Sequence, residues 1–327
     1  MRTLYITRQG CTLRLHHETL QIQHRKQTLH TAQLPHLDQI FIFGRSEITT
    51  PALRACLERD IPIAHLSRSG HCYGRTSPIA QGSRHLARRQ QQLSDTDRHT
   101  IAQTIVRAKL HNSRVYLQRQ HRRHPSSSLQ LAIDSLGYLH DKAETTTRTA
   151  SLLGIEGAAA SHYFTGFREC LRNPDFTFNG RHRRPPTNPV NALLSFGYAV
   201  LWNHILSLIE LHGLDPYHAC LHTGSDRHPA LASDLIEEFR TPIVDSIVVW
   251  SINTQTMNGD RDFEYRDSGC FLNDTGRQRF LHHFTRRMDD SPQPTATPRW
   301  DWLTQQIKHF RDTITTDPHH YTAYRIR

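Results

Sequence analysis

Lysine is scarce in this sequence: four of its 40 Lys and Arg residues are lysine, at Lys26, Lys109, Lys142 and Lys308. The positive charge is therefore almost entirely arginine, and the formal net charge is +10 at pH 7. Such an excess favours a polyanionic partner, nucleic acid above all, and the planar guanidinium suits bidentate contacts with phosphate. A GC-rich genome also enriches arginine over lysine, so the residue choice alone leaves both interpretations open.

The sequence also lacks paired cysteines and a glycine-rich nucleotide-binding loop. None of its six cysteines forms a Cys-x-x-Cys pair, so neither a structural zinc site nor a compact disulfide framework is indicated. No Gly-x-Gly-x-x-Gly opens a helix, which argues against a dinucleotide-binding fold. We expect reduced thiols in a cytoplasmic protein.

Long apolar runs are missing as well. No run reaches the roughly 20 residues that a helix needs to span a bilayer. The valine-rich stretch at residues 243–252 is short and is interrupted by Asp245. The first residues do not resemble a signal peptide. These features predict a cytoplasmic protein without a membrane partner.

The residue pattern changes near residue 80. Before it, stretches such as residues 12–16 alternate polar and apolar side chains, which predicts β-strands. From residue 94 onward the periodicity is helical, beginning with Ser94 and Asp97 at helix-capping spacing. We expect an α+β protein with a β-sandwich or curved sheet at residues 1–80, a linker at 81–93 and an α-helical domain at 94–327.

Glu156 lies within a small, apolar stretch, residues 152–160, that has the character of a buried helix. At helical spacing it shares a face with Tyr163 and Phe167. A carboxylate in such a place costs several kcal/mol unless a positive group meets it. Gly157 and the alanines beside it would let a cation or a substrate backbone come close. The alternative is a surface glutamate on an alanine-rich helix.

A second group of ionisable residues accompanies His222, which we place at the end of an apolar helix and the start of a turn. Asp234, Glu237 and Glu238 follow at i, i+3 and i+4 of a short helix and would project from one side. Acids so close repel one another, and a shared divalent cation would relieve that repulsion. A solvated acidic face is the alternative.

Two arginine-rich regions are candidates for DNA contact. Arginines beside aromatic residues suit the tracking of a nucleic-acid backbone and the stacking of bases. For the second region the alternative is a disordered basic linker. The candidates are Arg107 and Arg114 on the long helix that begins after Ser94, and Arg181, Arg183 and Arg184 in a loop with Phe176 and Phe178.

Eight short motifs follow one another along the chain. They are Phe43-Gly44, Ile48-Thr49-Thr50-Pro51-Ala52-Leu53, Ile61-Pro62-Ile63-Ala64-His65-Leu66, Ala108-Lys109-Leu110-His111-Asn112, Leu153-Gly154-Ile155-Glu156-Gly157, Pro185-Pro186-Thr187-Asn188-Pro189, Leu221-His222 and Asp234-Leu235-Ile236-Glu237-Glu238-Phe239-Arg240. In this order they resemble the CRISPR-associated endonuclease and integrase family that acts in spacer acquisition. The joint presence of the Glu, His and acidic motifs makes the resemblance specific.

The resemblance implies an N-terminal β-sandwich followed by a larger all-α catalytic domain. It implies a metal site with Glu156, His222 and Glu237 as ligands and catalytic residues. Asp234 is a second candidate ligand, since family members often carry Asp where Glu237 stands, and Trp202 would lie near the reacting strand. Two carboxylates and an imidazole suit Mg²⁺ or Mn²⁺, the imidazole favouring Mn²⁺. His222 as a metal-free general base is the alternative.

The resemblance also implies a function: a metal-dependent DNA endonuclease and integrase, a hydrolase of phosphodiester bonds. It would insert new spacers into CRISPR arrays by attack of a 3′-hydroxyl on a repeat phosphodiester. The implied partners are double-stranded DNA (protospacer and repeat), a second copy in a homodimer, and a small CRISPR-associated adaptation protein. The arginines would hold the DNA backbone largely without reading sequence. A nuclease for branched DNA in repair and a non-catalytic basic scaffold are the alternatives.

Overall fold

The computed structural model describes residues 2–78, 84–222, 228–291 and 297–326. The chain divides into two compact units. The N-terminal unit contains Met1–Gln81 together with Asn273–Gln278, and the helical unit contains Gly82–Leu272 and Arg279–Arg327.

The N-terminal unit is built from two four-stranded sheets and a helix. Its elements are β1 (Thr3–Ile6), β2 (Cys11–His16), β3 (Thr19–His24), β4 (Gln27–Gln33), β5 (Gln39–Phe43), β6 (Glu47–Ile48), α1 (Thr50–Leu57), β7 (Ile63–Leu66) and β8 (Cys72–Thr76). One sheet has the strand order β1-β5-β7-β8, in which β8 alone pairs antiparallel. The other has the order β4-β3-β2-β6, in which β6 alone pairs parallel.

Both sheets contribute to one apolar core. Leu13 and Leu20 of the second sheet belong to the same buried cluster as Ile40 and Ile63 of the first, together with Ala52 of α1. β5 is buried at each of its five positions, as expected for a strand between two parallel neighbours with both faces covered. The N-terminal β-sandwich is therefore confirmed.

The rest of the chain is mainly helical. Its helices are α2 (Arg84–Gln91), α3 (Asp95–Arg123), α4 (Ser127–Glu144), α5 (Thr149–Arg168), α6 (Pro189–Leu211), α7 (Ala230–Leu235), α8 (Ser246–Asn253), α9 (Asp274–Asp289) and α10 (Arg299–Thr315). The predicted capping box is present, since Ser94 and Asp97 cap each other at the start of α3. Asn188 caps α6 in the same way, through the N–H of Asn191.

The larger helical part is confirmed, and it holds two features that were not predicted. One is the antiparallel hairpin of β9 (Phe263–Arg266) and β10 (Gly269–Leu272). The predicted linker at 81–93 contains α2, and the buried Gln90 exchanges hydrogen bonds with the backbone of Asp215, at 2.7 and 3.0 Å. The sequence of α2 is polar, so it gave no sign that Gln90 is buried against another segment. Residues 81–83 of the predicted linker lie outside the described residues.

One helix, α6, bears on the expectation that no segment is apolar enough to span a bilayer. It is long and apolar enough to cross a membrane by length and composition, with a mean hydropathy of 1.5 over 18 residues. Of this stretch, 78% is buried within the protein, as in a core helix. Polar residues such as Asn203 and His204 interrupt the apolar run in the sequence, and both are fully buried.

Candidate active site

The centre of the candidate site is an ammonium group between two carboxylates. Lys109 of α3 forms ion pairs with Glu156 of α5 and with Glu237, whose Oε2 lies 2.6 Å from Lys109 Nζ. The side chain of Glu156 is 17% exposed and that of Glu237 is 2% exposed. Glu156 is therefore not a solvated surface residue, and the cation that its apolar helix requires is present.

A second cation, Arg240, holds the other oxygen of Glu237. Arg240 Nη1 lies 3.2 Å from Glu237 Oε1. Arg240 begins a π-helix, Arg240–Asp245, directly after the turn that carries Glu237. Burial by itself would raise the pKa of Glu237, but Arg240 and Lys109 lower it to about 2. Glu237 is thus anionic at neutral pH.

The buried carboxylate of Asp234 orients His222. Its Oδ2 accepts the backbone N–H groups of Cys220 and Leu221, at 2.7 and 2.8 Å. Its Oδ1 contacts the backbone N–H of His222 at 3.0 Å and His222 Nδ1 at 2.8 Å. Because Nδ1 faces Asp234, Nε2 is presented on the opposite side of the ring.

The pKa of His222 reflects the acids around it. The hydrogen bond with Asp234 raises this pKa against the effect of burial, and the charges of Asp234, Glu237 and Glu156 act in the same direction. His222 thus belongs electrostatically to the same site as the two glutamates, although they lie on different elements.

The predicted position of His222 at the end of an apolar helix is wrong. The helix α6 ends at Leu211, and residues 212–222 form an irregular segment. The Asp234 carboxylate holds the end of this segment through hydrogen bonds that span 12 to 14 residues. Helical periodicity carries no information about such contacts.

The three acids also do not project from one side. The helix α7 ends at Leu235, and Ile236–Glu238 continue as a 3₁₀ turn, in which successive side chains lie about 120° apart. Asp234 consequently faces the His222 segment, while Glu237 faces Lys109. These directions do not support one cation shared by all three acids.

Glu238 points to a third place, the segment of residues 321–326. Tyr321 Oη donates a hydrogen bond to Glu238 Oε1, and the backbone N–H of Tyr324 donates to Oε2 at 2.6 Å. Burial raises the pKa of Glu238 to about 8. Adjacent glutamates in this turn therefore have opposite pKa shifts.

Two tyrosines, Tyr163 and Tyr198, both donate hydrogen bonds to the buried Asp245 near the site. Tyr163 lies two turns after Glu156 on α5 and donates to Asp245 Oδ2 at 2.7 Å, while Tyr198 donates to Asp245 Oδ1. The Arg240 guanidinium lies 4.9 Å from the centroid of the Tyr198 ring. Burial raises the pKa of Asp245. These contacts connect α5 and α6 to the π-helix that follows Glu237 in the chain.

A groove with a volume of about 540 Å³ runs along α5. It is lined by Arg168 of α5 and by Arg181 and Arg183 of the loop before α6, among others. Arg183 also lines a small cavity with Lys109, so the groove borders the site. Next to Glu156 the helix is open, since a Cβ added at Gly157 would meet nothing within 4 Å.

The loop before α6 is anchored, so the alternative of a disordered linker is wrong. Asn191 accepts the backbone N–H of His182 at 2.9 Å and donates to the carbonyl of Gly180 at 2.9 Å. Phe176 and Phe178 are both buried. They pack into the core as anchors and do not offer their faces for base stacking, because burial of an aromatic ring is strongly favoured.

The predicted DNA-binding arginines fall into two groups. Arg183 and Arg184 are exposed, as contact with DNA requires. Arg181 is largely occupied by the protein, since it donates to Asn191 Oδ1 at 2.9 Å and to Ser195 Oγ at 3.0 Å. Burial lowers its pKa to about 10.

On α3 the two predicted arginines also differ. Arg114 is exposed, with its guanidinium close to Gly137 of α4. Arg107 Nη1 lies 3.1 Å from Glu144 Oε1, so part of its charge is neutralised within the protein. DNA contact by these residues stays a prediction.

Trp202 lies beside the His222 segment. Its Nε1 donates to Ser233 Oγ at 3.2 Å, and its ring stacks on His228 with the centroids 6.0 Å apart. Ser233 directly precedes Asp234, so Trp202 buttresses the residue that orients His222.

The roles of Lys109 and Arg240 were not predicted from the sequence. Both stand in the motifs above, but their ion pairs with Glu156 and Glu237 were not expected. One signal was available: Lys109 is one of four lysines in a chain whose other basic residues are arginine. The ammonium group of lysine is compact and fits between two carboxylates that lie close together, whereas the planar guanidinium group of arginine needs more space.

The protein has an N-terminal β-sandwich followed in sequence by a mainly helical part, and that part carries two glutamates and an oriented histidine. This combination is typical of a nuclease that acts on nucleic acid. The chain belongs to the family of CRISPR associated protein Cas1, whose profile matches residues 4–286. It is 37% identical to a CRISPR-associated exonuclease Cas4/endonuclease Cas1 fusion of Rhodospirillum rubrum, over 86% of this chain and 49% of the relative. It is 32% identical to CRISPR-associated endonuclease Cas1 1 of Thermus thermophilus, over 88% and 86%. The chain spans about half the length of the fusion relatives it matches.

Solved structures agree with this relationship. A CAS1 protein from Thermotoga maritima is 25% identical, with a TM-score of 0.83 over 97% of each chain. A chain of a Cas6-RT-Cas1–Cas2 complex is 26% identical, with a TM-score of 0.86 over 99% of this chain and 36% of that chain. A casposase bound to integration product, 21% identical, has the same fold, with a TM-score of 0.82 over 100% of this chain and 96% of that chain.

Proposed function

We propose that the protein is a metal-dependent DNA endonuclease and integrase that inserts new DNA into CRISPR repeats. The observation that carries the proposal is the convergence of Glu156 and Glu237 on one cation, next to an oriented imidazole. Membership of the Cas1 family supports it, because the Thermus thermophilus relative is named an endonuclease.

The donor set fits a divalent cation. Glu156 and Glu237 both contact the positive charge of Lys109, and their own negative charges raise the pKa of His222. Within the part of the chain that the structure describes, no three His, Cys, Asp or Glu side chains meet at metal-binding spacing. We assign Glu156 and Glu237, which both contact the Lys109 ammonium, as the residues that would hold Mg²⁺ or Mn²⁺, with His222 as the third donor.

The arrangement favours Glu237 over Asp234 as the direct ligand. Both oxygens of Asp234 are occupied by the backbone and ring of the His222 segment. Glu237 instead meets only side-chain cations, Lys109 and Arg240, among the described residues. Asp234 would thus act through His222, by fixing the direction of Nε2.

The chain's own residues provide the remaining chemistry. A bound divalent ion would stabilise the negative charge that develops on phosphate oxygens. Glu237 keeps its charge for that purpose, because Arg240 and Lys109 hold its pKa low. With its Nδ1 hydrogen-bonded to Asp234, His222 would offer the lone pair of Nε2 as the third donor. Positioning and electrostatics of this kind suffice for attack of a hydroxyl on a phosphodiester.

Exposed arginines would place the DNA. Arg183 and Arg168 line the groove along α5, and Arg184 follows Arg183 in the chain and is exposed. Guanidinium groups there would contact phosphates without reading the bases. The proposed partners are double-stranded DNA, a second copy of this chain in a homodimer, and a small protein like the Cas2 of the similar complex. The proposed setting is the cytoplasm, with no membrane partner.

The proposal is tested with Glu156→Gln, which removes a charge and keeps the shape. Joining of a short duplex to a plasmid that carries a CRISPR repeat, in Mn²⁺, should fall about 10²–10³-fold. The matched control is Glu169→Gln, at the end of the same helix, which should join DNA as wild type does.

Three results would overturn the proposal. Equal joining by Glu156→Gln and wild type would show that the site is not catalytic. Wild type that cleaves branched DNA in Mn²⁺ but never joins ends would instead favour a nuclease for DNA repair. Binding of DNA with neither reaction would favour a non-catalytic scaffold.

A further inference from the structure

The residues 321–326, here called the strap, lie after α10 and beyond the part of the chain that matches the family profile. The strap has no helix or strand among its residues. It is nevertheless held at several points by side chains from α3, from α10 and from the turn that carries Glu237 and Glu238.

Hydrogen bonds tie the strap to α3 and to Glu238 simultaneously. Asn112 of α3 donates to the carbonyls of Glu238 and Tyr324, at 2.8 and 3.0 Å, and accepts the N–H of Ile326 at 2.9 Å. The carboxylate of Glu238 accepts the N–H of Tyr324 at 2.6 Å and the hydroxyl of Tyr321. Asn112 and Glu238 are both fully buried. The strap therefore joins two elements through a buried polar network.

Ring stacking reinforces these hydrogen bonds. The ring of Tyr324 lies between Phe239 and Trp302, with centroid distances of 5.1 and 5.0 Å and nearly parallel planes. Phe239 separates the 3₁₀ turn with Glu237 from the π-helix that begins with Arg240. The strap thus packs on the residue between the acid and its arginine partner.

The two elements that the strap joins are the ones that bring Lys109 and Glu237 together. Lys109 stands one turn before Asn112 on α3, and Glu237 directly precedes Glu238. The turn at Glu237 is a single 3₁₀ turn followed by a π-helix, so regular α-helical hydrogen bonding does not set its direction. Contacts from outside must do so.

We propose that the strap, through Tyr324, Asn112 and Glu238, is a positioning device that aligns Glu237 with Lys109 and Glu156 for the reaction. This inference rests on the proposed function, because it assigns a role within the same site. An error of about 1 Å in the position of a reacting group can lower a rate about 100-fold. Loss of the strap contacts should therefore act on the rate more than on DNA binding.

The test is Tyr324→Ala in the full chain, beside Tyr324→Phe, which keeps the stacked ring, and Tyr138→Ala, which changes an exposed tyrosine on α4. Tyr324→Ala should lower kcat for DNA joining by about 10- to 100-fold with KM for DNA unchanged. It should also weaken the binding of Mn²⁺ alone, measured by water-proton relaxation. Tyr324→Phe and Tyr138→Ala should match wild type in both measurements.

A measurement without activity keeps this inference separate from the proposed function. In hydrogen exchange of the protein without metal or DNA, Tyr324→Ala should speed exchange at residues 236–241 and leave α4 and α5 at their wild-type rates. If wild type joins no DNA, the proposed function fails, and this exchange pattern still decides whether the strap holds the turn.

Several results would overturn the role of the strap. One is wild-type exchange at residues 236–241 in Tyr324→Ala, and another is an unchanged kcat. Faster exchange throughout the helical unit would mean a purely structural contact. If Tyr324→Ala does not fold, Tyr321→Phe takes its place, because it removes only the hydroxyl that bonds Glu238. It should give the same local exchange and a smaller fall in kcat, and wild-type behaviour in both would refute the inference.

Discussion

Glu237 and Glu238 are neighbours in one turn, and both are buried, yet the two sides of this turn have opposite chemistry. On the Glu237 side the partners are the cations of Lys109 and Arg240. On the Glu238 side they are the hydroxyl of Tyr321 and the N–H of Tyr324. The pKa of Glu237 is lowered to about 2, and that of Glu238 is raised to about 8.

This difference shows what marks a carboxylate for chemistry in a buried site. Burial raises the pKa of a carboxyl group, and at Glu238 and Asp245 the hydrogen bonds of neutral donors and the smaller contribution of one arginine charge do not reverse the effect. Only full cations do so at Glu237. Buried acids with neutral donors hold elements together, whereas an acid with cationic partners keeps a charge that a metal or a phosphate can meet.

The largest expected effect comes from replacing each of the two carboxyl groups by an amide in turn. Glu237→Gln should lower DNA joining in Mn²⁺ by about 10²–10³-fold, because it removes a proposed ligand and leaves Arg240 without its ion pair. Glu238→Gln is the matched comparison and should lower joining far less, because it leaves Glu156, Glu237 and their cations in place and changes only a strap contact. Equal losses in the two variants would break the distinction between the two sides.

A smaller effect is expected in stability when the central ammonium is removed. Lys109→Met should destabilise the protein by about 3 kcal/mol in EDTA, because it leaves Glu156 without its cation and close to the charge of Glu237, which keeps Arg240 alone. Mn²⁺ should restore more stability to this variant than to wild type, since the ion would replace the lost cation. The measurement is urea unfolding with and without Mn²⁺.

The control for this experiment is another of the four lysines. Lys142→Met changes an exposed side chain and should leave both the stability and its response to Mn²⁺ unchanged. If Mn²⁺ stabilises wild type and Lys109→Met equally, the ion does not bind between Glu156 and Glu237.

The smallest expected effect is a change in how stability depends on pH, measured in EDTA. The folded pKa of Glu238 is raised from 4.5 to about 8, so its contribution to stability is present at low pH and is lost as the pH rises through about 8. The folded pKa of Glu237 is lowered from 4.5 to about 2, so its contribution is present above pH 4.5 and is lost as the pH falls towards 2.

Each variant should therefore flatten a different part of the curve of unfolding free energy against pH. Glu238→Gln should reduce the slope above pH 4.5, and Glu237→Gln should reduce the slope below it. Urea unfolding at a series of pH values measures both slopes. A Glu238→Gln variant with the wild-type slope above pH 4.5 would contradict the raised pKa.

Local features of the fold were predictable because neighbouring residues decide them. The capping box of Ser94 and Asp97 and the strand β2 were predicted from residue spacing alone. The hairpin of β9 and β10 and the helix α2 were missed. Their sequences are polar and charged, and contacts such as that of Gln90 with Asp215 stabilise them from a distance.

The sequence by itself determined that Glu156 needs a cation if its helix is buried, since an apolar environment cannot hold an isolated charge. It also determined that the chain is strongly basic and that lysine is exceptional in it. Only the tertiary structure decided which cation Glu156 meets and which of the clustered acids shares it. Lys109 is 47 residues from Glu156, and packing of α3 against α5 brings the two together. The opposite surroundings of Glu237 and Glu238 likewise come from distant segments, because a tight turn directs adjacent side chains to different parts of the fold.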